Sequence, residues 1–193
     1  DKATPLLPPP TTGAGGGSTN TTHFSIVDAA GNRVAATLTI NLLFGSGLIP
    51  PGTGVLLNNE MDDFALKSGT PNAFGVMGYD ANAPKPGKRM LSSMTPTFME
   101  SKERVAVLGT PGGSRIITMV LLGVLGYADG LDAQSVAALP RYHHQWMPDV
   151  LSTERNALPA DVVTALRAMG GRSAGLRNTS TMSTGNGMSS SRG

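Results

Sequence analysis

From Thr21 to Asn41 the chain alternates in steps of two. Val34, Ala36, Leu38 and Ile40 fall on one side of RVAATLTI, and Ala35, Thr37, Thr39 and Asn41 on the other. A period of two predicts strands for HFSIVD and RVAATLTI, and the AAGN between them predicts a hairpin connection. TPTFMES and RVAVLG predict a second hairpin, after a loop-rich stretch from Phe44 to Thr95 punctuated by GSG, PPGTG, NNEMDD and PKPGKR. The pattern then changes. PGGSRIITMVLLGVLGYA reads as a loop feeding a buried helix, with Ser114 near its start. DAQSVAALP predicts a helix capped by Asp132 and stopped by Pro140, and LPADVVTALRAMGG an amphipathic helix ended by Gly170. Strand pairs followed by helices predict α+β layers around at least one buried sheet.

The periodicity fades at both ends. Residues 1–20 (DKATPLLPPPTTGAGGGSTN) and the run LRNTSTMSTGNGMSSSRG from Leu176 are rich in Pro, Gly, Ser and Thr. Neither offers enough apolar surface to offset the entropy of ordering. The expected organisation is a flexible segment over residues 1–20, a folded domain over 21–172 and a low-complexity tail over 173–193.

Composition narrows the chemistry. With 39% hydrophobic and 15% charged residues in 193, the chain reads as ordinary globular protein. Its formal net charge of +2, without a Lys/Arg run interleaved with aromatics, argues against nucleic acid as partner. The absence of cysteine excludes thiol catalysis and disulfides. The longest apolar run, Ile116 to Ala128, is too short to span a bilayer. With neither an initiator Met nor a signal peptide, the chain is expected to be the C-terminal part of a longer precursor.

No G-x-S-x-G elbow, Walker loop or H-E-x-x-H occurs. His143 and His144 are adjacent and diverge on any regular element, so they read as structural residues beside Trp146 rather than metal ligands. Met61–Asp63 holds a carboxylate pair without the further ligands a hard cation needs. What stands out is polar loading: Thr39 and Asn41 on one strand face, five polar or acidic side chains in Asn58–Asp63, and adjacent Ser92 and Ser93. Gly112 and Gly113 stand at a helix entrance, where free backbone N–H groups favour negative charge. Together these suit a pocket that binds a small zwitterion and stabilises an oxyanion.

TTHFSIVD, GNRVAATLTINLLFGSG, LLNNEMDDFALKSGTPNAFG, KRMLSSMTPT, GTPGGSRIIT and PRYHHQWMPD resemble, in order and spacing, the small subunit of gamma-glutamyltranspeptidases. The similarity runs from Thr21 to about Asp149. It implies the N-terminal nucleophile hydrolase fold, a four-layer αββα sandwich of which this chain supplies the small-subunit part. It also implies a gamma-glutamyl transferase/hydrolase that frees its nucleophile by cutting itself at Asn20–Thr21. Thr21 matches that nucleophile and Thr39 the threonine bonded to it. Asn41, Glu60 and Asp63 match the residues holding the glutamyl α-amino group, with Glu60 replaced by Gln in some relatives. Ser92 and Ser93 match the α-carboxylate contacts, and the N–H groups of Gly112 and Gly113 the oxyanion hole. Ser68–Tyr79 occupies the place of the lid loop found in many bacterial members. An acid at Asp63 fits recognition of a free α-amino group, where capsule-depolymerase-like relatives typically carry an amide.

The implied partners are a large subunit cut from the same precursor, glutathione or another gamma-glutamyl compound, and an acceptor amino acid or peptide. No cofactor and no metal are implied, and bacterial members are usually periplasmic or secreted. Two departures are noted. Residues 1–20 precede Thr21, so its nitrogen is a peptide nitrogen in this sequence. The family's closing strand near an Asp-Pro-Arg motif has no counterpart in RSAGLRNTSTMSTGNGMSSSRG, so no strand is expected there. The arginine that pairs with the substrate carboxylate belongs to the large subunit, so this chain alone is expected to be inactive. Competing readings are a cephalosporin- or glutaryl-acylase-like amidase of the same fold, and a non-catalytic remnant serving as a structural or binding module.

Overall fold

The computed structural model describes residues 21–169 and the backbone of residues 189–192. The expectations for residues 1–20, for Gly170 and for most of the tail lie outside the described residues. Strands β1 (Thr21–Val27) and β2 (Arg33–Thr39) pair antiparallel, with Thr21 opposite Thr39 and His23 opposite Thr37. Asp28 closes the hairpin: its carboxylate accepts the N–H groups of Ala30 at 2.9 Å and Asn32 at 2.8 Å, and Asn32 Nδ2 at 2.7 Å. These bonds, the Asn32 side chain first, hold its carboxyl below the usual range. Gly31, at φ +84°, supplies the left-handed residue of the turn.

The loop-rich stretch holds a 3-10 turn at Glu60–Asp63, the short pair β3 (Thr70–Pro71) and β4 (Met77–Gly78), and a 3-10 turn at Asp80–Asn82. The second hairpin is β5 (Thr97–Glu100) with β6 (Arg104–Leu108). A 3-10 turn at Gly113–Arg115 leads into α1 (Ile116–Ala128). Helix α2 (Ala133–Ala138) follows, with Asp132 accepting the Ser135 N–H at 2.7 Å as the expected N-cap. The pair β7 (Tyr142–His143) and β8 (Ser152–Thr153) and helix α3 (Ala160–Ala168) complete the series.

The expectation that the C-terminal run lacks a strand is corrected. β9 (Ser189–Arg192) pairs antiparallel with β6, Ser189 opposite Val107 and Arg192 opposite Arg104. A serine run carries no apolar signal, yet its backbone can pair with the open edge of β6 as well as any other.

The core lies where β6 meets α1, with Ala106, Leu108, Ile116, Val120 and Tyr127 buried together. Glycines bring α1 close to its neighbours. A Cβ at Gly123 would lie 3.2 Å from Leu108 Cδ1, and one at Gly126 2.9 Å from Leu139 Cδ1. Arg104 reaches across to the end of α1, donating to the carbonyls of Tyr127 and Leu131 with its guanidinium 4.1 Å from the Tyr127 ring centre.

Two elements present apolar faces to solvent, and for α1 this departs from the expected buried helix. α1 is buried on one side only: Ile117, Leu121 and Leu125 are about half exposed. In the β1–β2 hairpin the apolar face is the exposed one, through Phe24, Ile26, Val34 and Leu38. Its polar face turns inward, where His23 is buried and the Ser25 hydroxyl donates to the Val107 carbonyl at 3.2 Å. The described sheets have two, two, three and two strands, in an α+β chain.

Candidate active site

The β1–β2 register sets the first pair. Because Thr21 stands opposite Thr39 on the inward face, the Thr21 hydroxyl donates to Thr39 Oγ1 at 3.0 Å. The Asn41 N–H donates to the same oxygen at 2.8 Å. Asn41 is buried and left-handed, at φ +71°, a conformation asparagine tolerates better than most residues. Its Nδ2 donates to the Asn59 carbonyl at 3.2 Å, tying the strand end to the acidic turn.

Thr21, Thr39, Asn41, Asp63, Ser92, Ser93 and Gly113 line one open pocket of about 430 Å³, its solvent mouth included. Glu60 and Gly112, also expected at the site, are not among the residues lining it. Gly112 adjoins it through Gly113 and Glu60 through the 3-10 turn that carries Asp63. The lining is completed by Asn72, Phe74 and Val76, from the Ser68–Tyr79 stretch, and by Leu91, Met94, Ser114 and Ile116, which had been given no role at the site. The Asn72–Val76 part was visible in the sequence through the resemblance alone, as part of the Ser68–Tyr79 stretch in the place of a lid loop. There Asn72 Oδ1 accepts the N–H groups of Phe74 and Val76, each at 3.0 Å.

The acidic turn is electrostatically tense. Burial, then the neighbouring Asp62, raises Asp63 to about 6, against a hydrogen bond from Asn72 Nδ2 at 3.3 Å. Burial and the Asp63 charge raise Glu60 as well, and Glu60 Oε1 is buried with no hydrogen-bond partner among the described residues. A cation brought into this turn would relieve both acids.

Across the pocket, Gly112 at φ +153° and Gly113 at φ +59° adopt backbone that side chains resist. A Cβ would lie 2.2 Å from Met119 Cε at the first and 2.6 Å from Phe74 Cδ1 at the second. Neither N–H donates to an acceptor among the described residues, so both are available at the entrance of α1. No group of three or more His, Asp or Glu side chains arranged for a metal occurs among the described residues. His143 is buried between Thr118 and Gln145, and His144 pairs with Asp149 at 2.8 Å.

A hydroxyl pair, two open backbone donors and an acidic turn around one cleft make a pocket equipped for acyl transfer to a hydroxyl. The chain belongs to the gamma-glutamyltranspeptidase family, whose profile matches residues 6–192. It is 49% identical over 155 residues to a glutathione hydrolase proenzyme of Escherichia coli (strain K12), covering 79% of this chain and 27% of that protein. The chain thus spans about a quarter of the length of such curated relatives. A solved structure of acivicin-inhibited gamma-glutamyltranspeptidase is 46% identical, with a TM-score of 0.72 over 79% of this chain and 82% of that one. A cephalosporin acylase from Bacillus halodurans, 24% identical, has a TM-score of 0.52 over 77% of this chain and 26% of that one, a likeness of fold alone.

Proposed function

We propose that this chain is the catalytic small-subunit region of a self-processing gamma-glutamyl transferase/hydrolase. Residues 1–20 would precede the cut, 21–172 would form the catalytic part and 173–193 a tail. The observation that carries the reading is the Thr21–Thr39 hydroxyl bond of 3.0 Å in one pocket with Asp63, Ser92, Ser93 and Gly113.

Self-cleavage comes first. Thr21 Oγ1 attacks the Asn20 carbonyl carbon, the peptide C–N bond breaks, and the acyl group rests on oxygen as an ester. Water hydrolyses that ester, leaving a carboxylate on Asn20 and a free amine on Thr21. That amine, with an ordinary pKa of about 7.7–8.0, is a base suited to neutral pH. It takes the Thr21 hydroxyl proton as Oγ1 attacks the γ-carbonyl of the substrate. Thr39 orients the hydroxyl, and the Gly112 and Gly113 N–H groups receive the oxyanion. Collapse expels the amine, cysteinylglycine in the case of glutathione, which carries the proton away. The glutamyl ester then passes to water or to an acceptor amine.

Recognition follows charge. Asn41, Glu60 and Asp63 would hold the α-ammonium, and the Ser92 and Ser93 hydroxyls the α-carboxylate. An acylase reading is less favoured, because a glutaryl head group has no ammonium to neutralise the raised acids Glu60 and Asp63. The exposed apolar faces of α1 and of the β1–β2 hairpin support a large subunit as partner, and layers of the αββα sandwich beyond those in this chain. By likeness to bacterial members, the mature protein would work in the periplasm or outside the cell.

The test uses the full precursor. Intact-mass analysis should show a fragment beginning at Thr21, absent in Thr21→Ala, and the cut protein should turn over a gamma-glutamyl anilide. An uncut wild-type precursor, or turnover of glutaryl amides alone, would overturn the reading.

A further inference from the structure

The stretch PRYHHQWMPD contributes nothing to the pocket lining, yet it reaches the wall from behind. Gln145 Nε2 donates to the Met147 carbonyl at 2.8 Å and to the Gly75 carbonyl at 3.4 Å. This turns Gln145 Oε1 toward His143 Nε2, 2.8 Å away. An amide oxygen carries no proton, so the hydrogen of that bond belongs to His143 Nε2. The other imidazole nitrogen, Nδ1, lies 2.8 Å from Thr118 Oγ1 on the first turn of α1. His143 is 7% exposed, so its ring is held by packing as well as by both hydrogen bonds.

Gly75 sits within the Asn72–Val76 wall. On its other side the wall is fastened to the acidic turn. Asp62 Oδ2 accepts the Ala73 N–H at 2.9 Å, and Asp63 Oδ1 accepts Asn72 Nδ2 at 3.3 Å. Phe74, between the two attachments, packs so closely on Gly113 that no Cβ fits there. The place of the wall therefore fixes the gap between the acidic turn and the open N–H groups at Gly112 and Gly113.

We propose that Gln145, its amide oriented by His143, is a positioning residue that sets the Asn72–Val76 wall and thereby the affinity of the pocket for its substrate. The orientation is chemical as well as steric. Rotating the amide by half a turn would set Oε1 against two carbonyl oxygens and Nε2 against the His143 donor, so His143 selects the rotamer that grips Gly75. A glutamate at 145 presents an oxygen to those same carbonyls, and a methionine presents no donor. Neither Gln145 nor Gly75 is among the residues lining the pocket, so loss of their bond weakens ground state and transition state alike: KM rises while kcat holds.

The kinetic half of this proposal rests on the gamma-glutamyl reading, whereas the structural half does not. Full precursors carrying Gln145→Met, Gln145→Glu, His143→Phe or both Gln145→Met and His143→Phe would be compared with wild type. Amide exchange would be read by mass spectrometry over residues 70–78, with 97–108 as internal control, alongside kinetics on a gamma-glutamyl anilide. Each single variant should speed exchange of 70–78 by about tenfold and raise KM about 5- to 20-fold, with kcat within about twofold. The double variant should be no worse than the worse single one, since both break one linkage.

Unchanged exchange over 70–78 in Gln145→Met, or additive losses in the double variant, would overturn the proposal. So would a fall in kcat at constant KM. If His143→Phe also loosens 97–108, Gln145→Glu decides, because it leaves His143 in place. A wild-type precursor inert toward the anilide would remove the gamma-glutamyl reading alone, and the exchange result would still decide the role of Gln145.

Discussion

Asp63 shows most sharply how one residue serves the site at the expense of the fold. Its carboxyl is raised from 3.8 to about 6 by burial and by Asp62. A raised acid binds its proton more tightly folded than unfolded, so the folded state is favoured below about pH 4 and loses that advantage as pH rises through about 6. At pH 7.5 Asp63→Asn is expected to stabilise the chain by about 1 kcal/mol, after allowing for solvent at the open pocket, or a few degrees in Tm. The gain should vanish near pH 4, and a pair of thermal melts at the two pH values checks it. On the proposed function the same variant should raise KM for a gamma-glutamyl anilide at least tenfold, since an amide no longer balances the substrate ammonium. A Tm difference independent of pH would show that Asp63 carries no such strain. The sequence made Asp63 legible as an acid beside another acid. It could not show that Asn72 opposes the strain, because that contact depends on a loop closing back over nine residues.

The two central hairpins meet along β6, where Ser25 bonds the Val107 carbonyl, and again just past its end. Gly109 follows β6, three residues before Gly112, and a Cβ there would lie 2.2 Å from His23 Cε1. The His23 ring has little room to yield, being held by Thr37 Oγ1 at 2.8 Å and Ser25 Oγ at 3.1 Å. Gly109→Ala is therefore expected to push β1 from β6, costing about 1–3 kcal/mol and separating Thr21 from the Gly112–Gly113 turn. Gly31→Ala is the control, with open space around it and a cost of about 1–2 kcal/mol from its positive φ alone. Chemical denaturation should show both losses, but only Gly109→Ala should depress turnover beyond its effect on stability. Equal turnover in the two variants would mean that the β1–β6 spacing does not govern the site.

This junction also explains what could be read beforehand. Alternation located β1, β2, β5 and β6 because a period of two is a local property. Alternation cannot say which face turns inward, and here the polar face of β1 and β2 does, carrying Thr21 and Thr39 to the pocket and His23 against Gly109. β9 was missed for the complementary reason: its pairing is carried by backbone, and four residues of serine and arginine leave no apolar trace.

The whole molecule is marked by apolar surface that the described residues leave uncovered. Ile117, Leu121 and Leu125 run along the outer face of α1, and Phe24, Ile26, Val34 and Leu38 along the outer face of the hairpin, each between two-fifths and three-fifths exposed. Covering such half-exposed side chains contributes about 1 kcal/mol apiece, enough over seven positions to drive specific association. Helix α1 was expected to be buried from its apolarity, and that apolarity is explained if its second face belongs to a neighbour. The isolated 193-residue chain is accordingly expected to self-associate at micromolar concentration and to bind a hydrophobic dye. Ile117→Lys with Leu121→Lys should shift it toward monomer in sedimentation, because both substitutions lie on solvent-facing positions of a helix whose buried side they leave alone. In the full precursor the same pair should block formation of the fragment beginning at Thr21, since a charged stripe cannot be covered without a large desolvation cost. Processing at the wild-type rate in that variant would show that the outer face of α1 is solvent surface in the assembled protein, and would leave only the hairpin face for the partner.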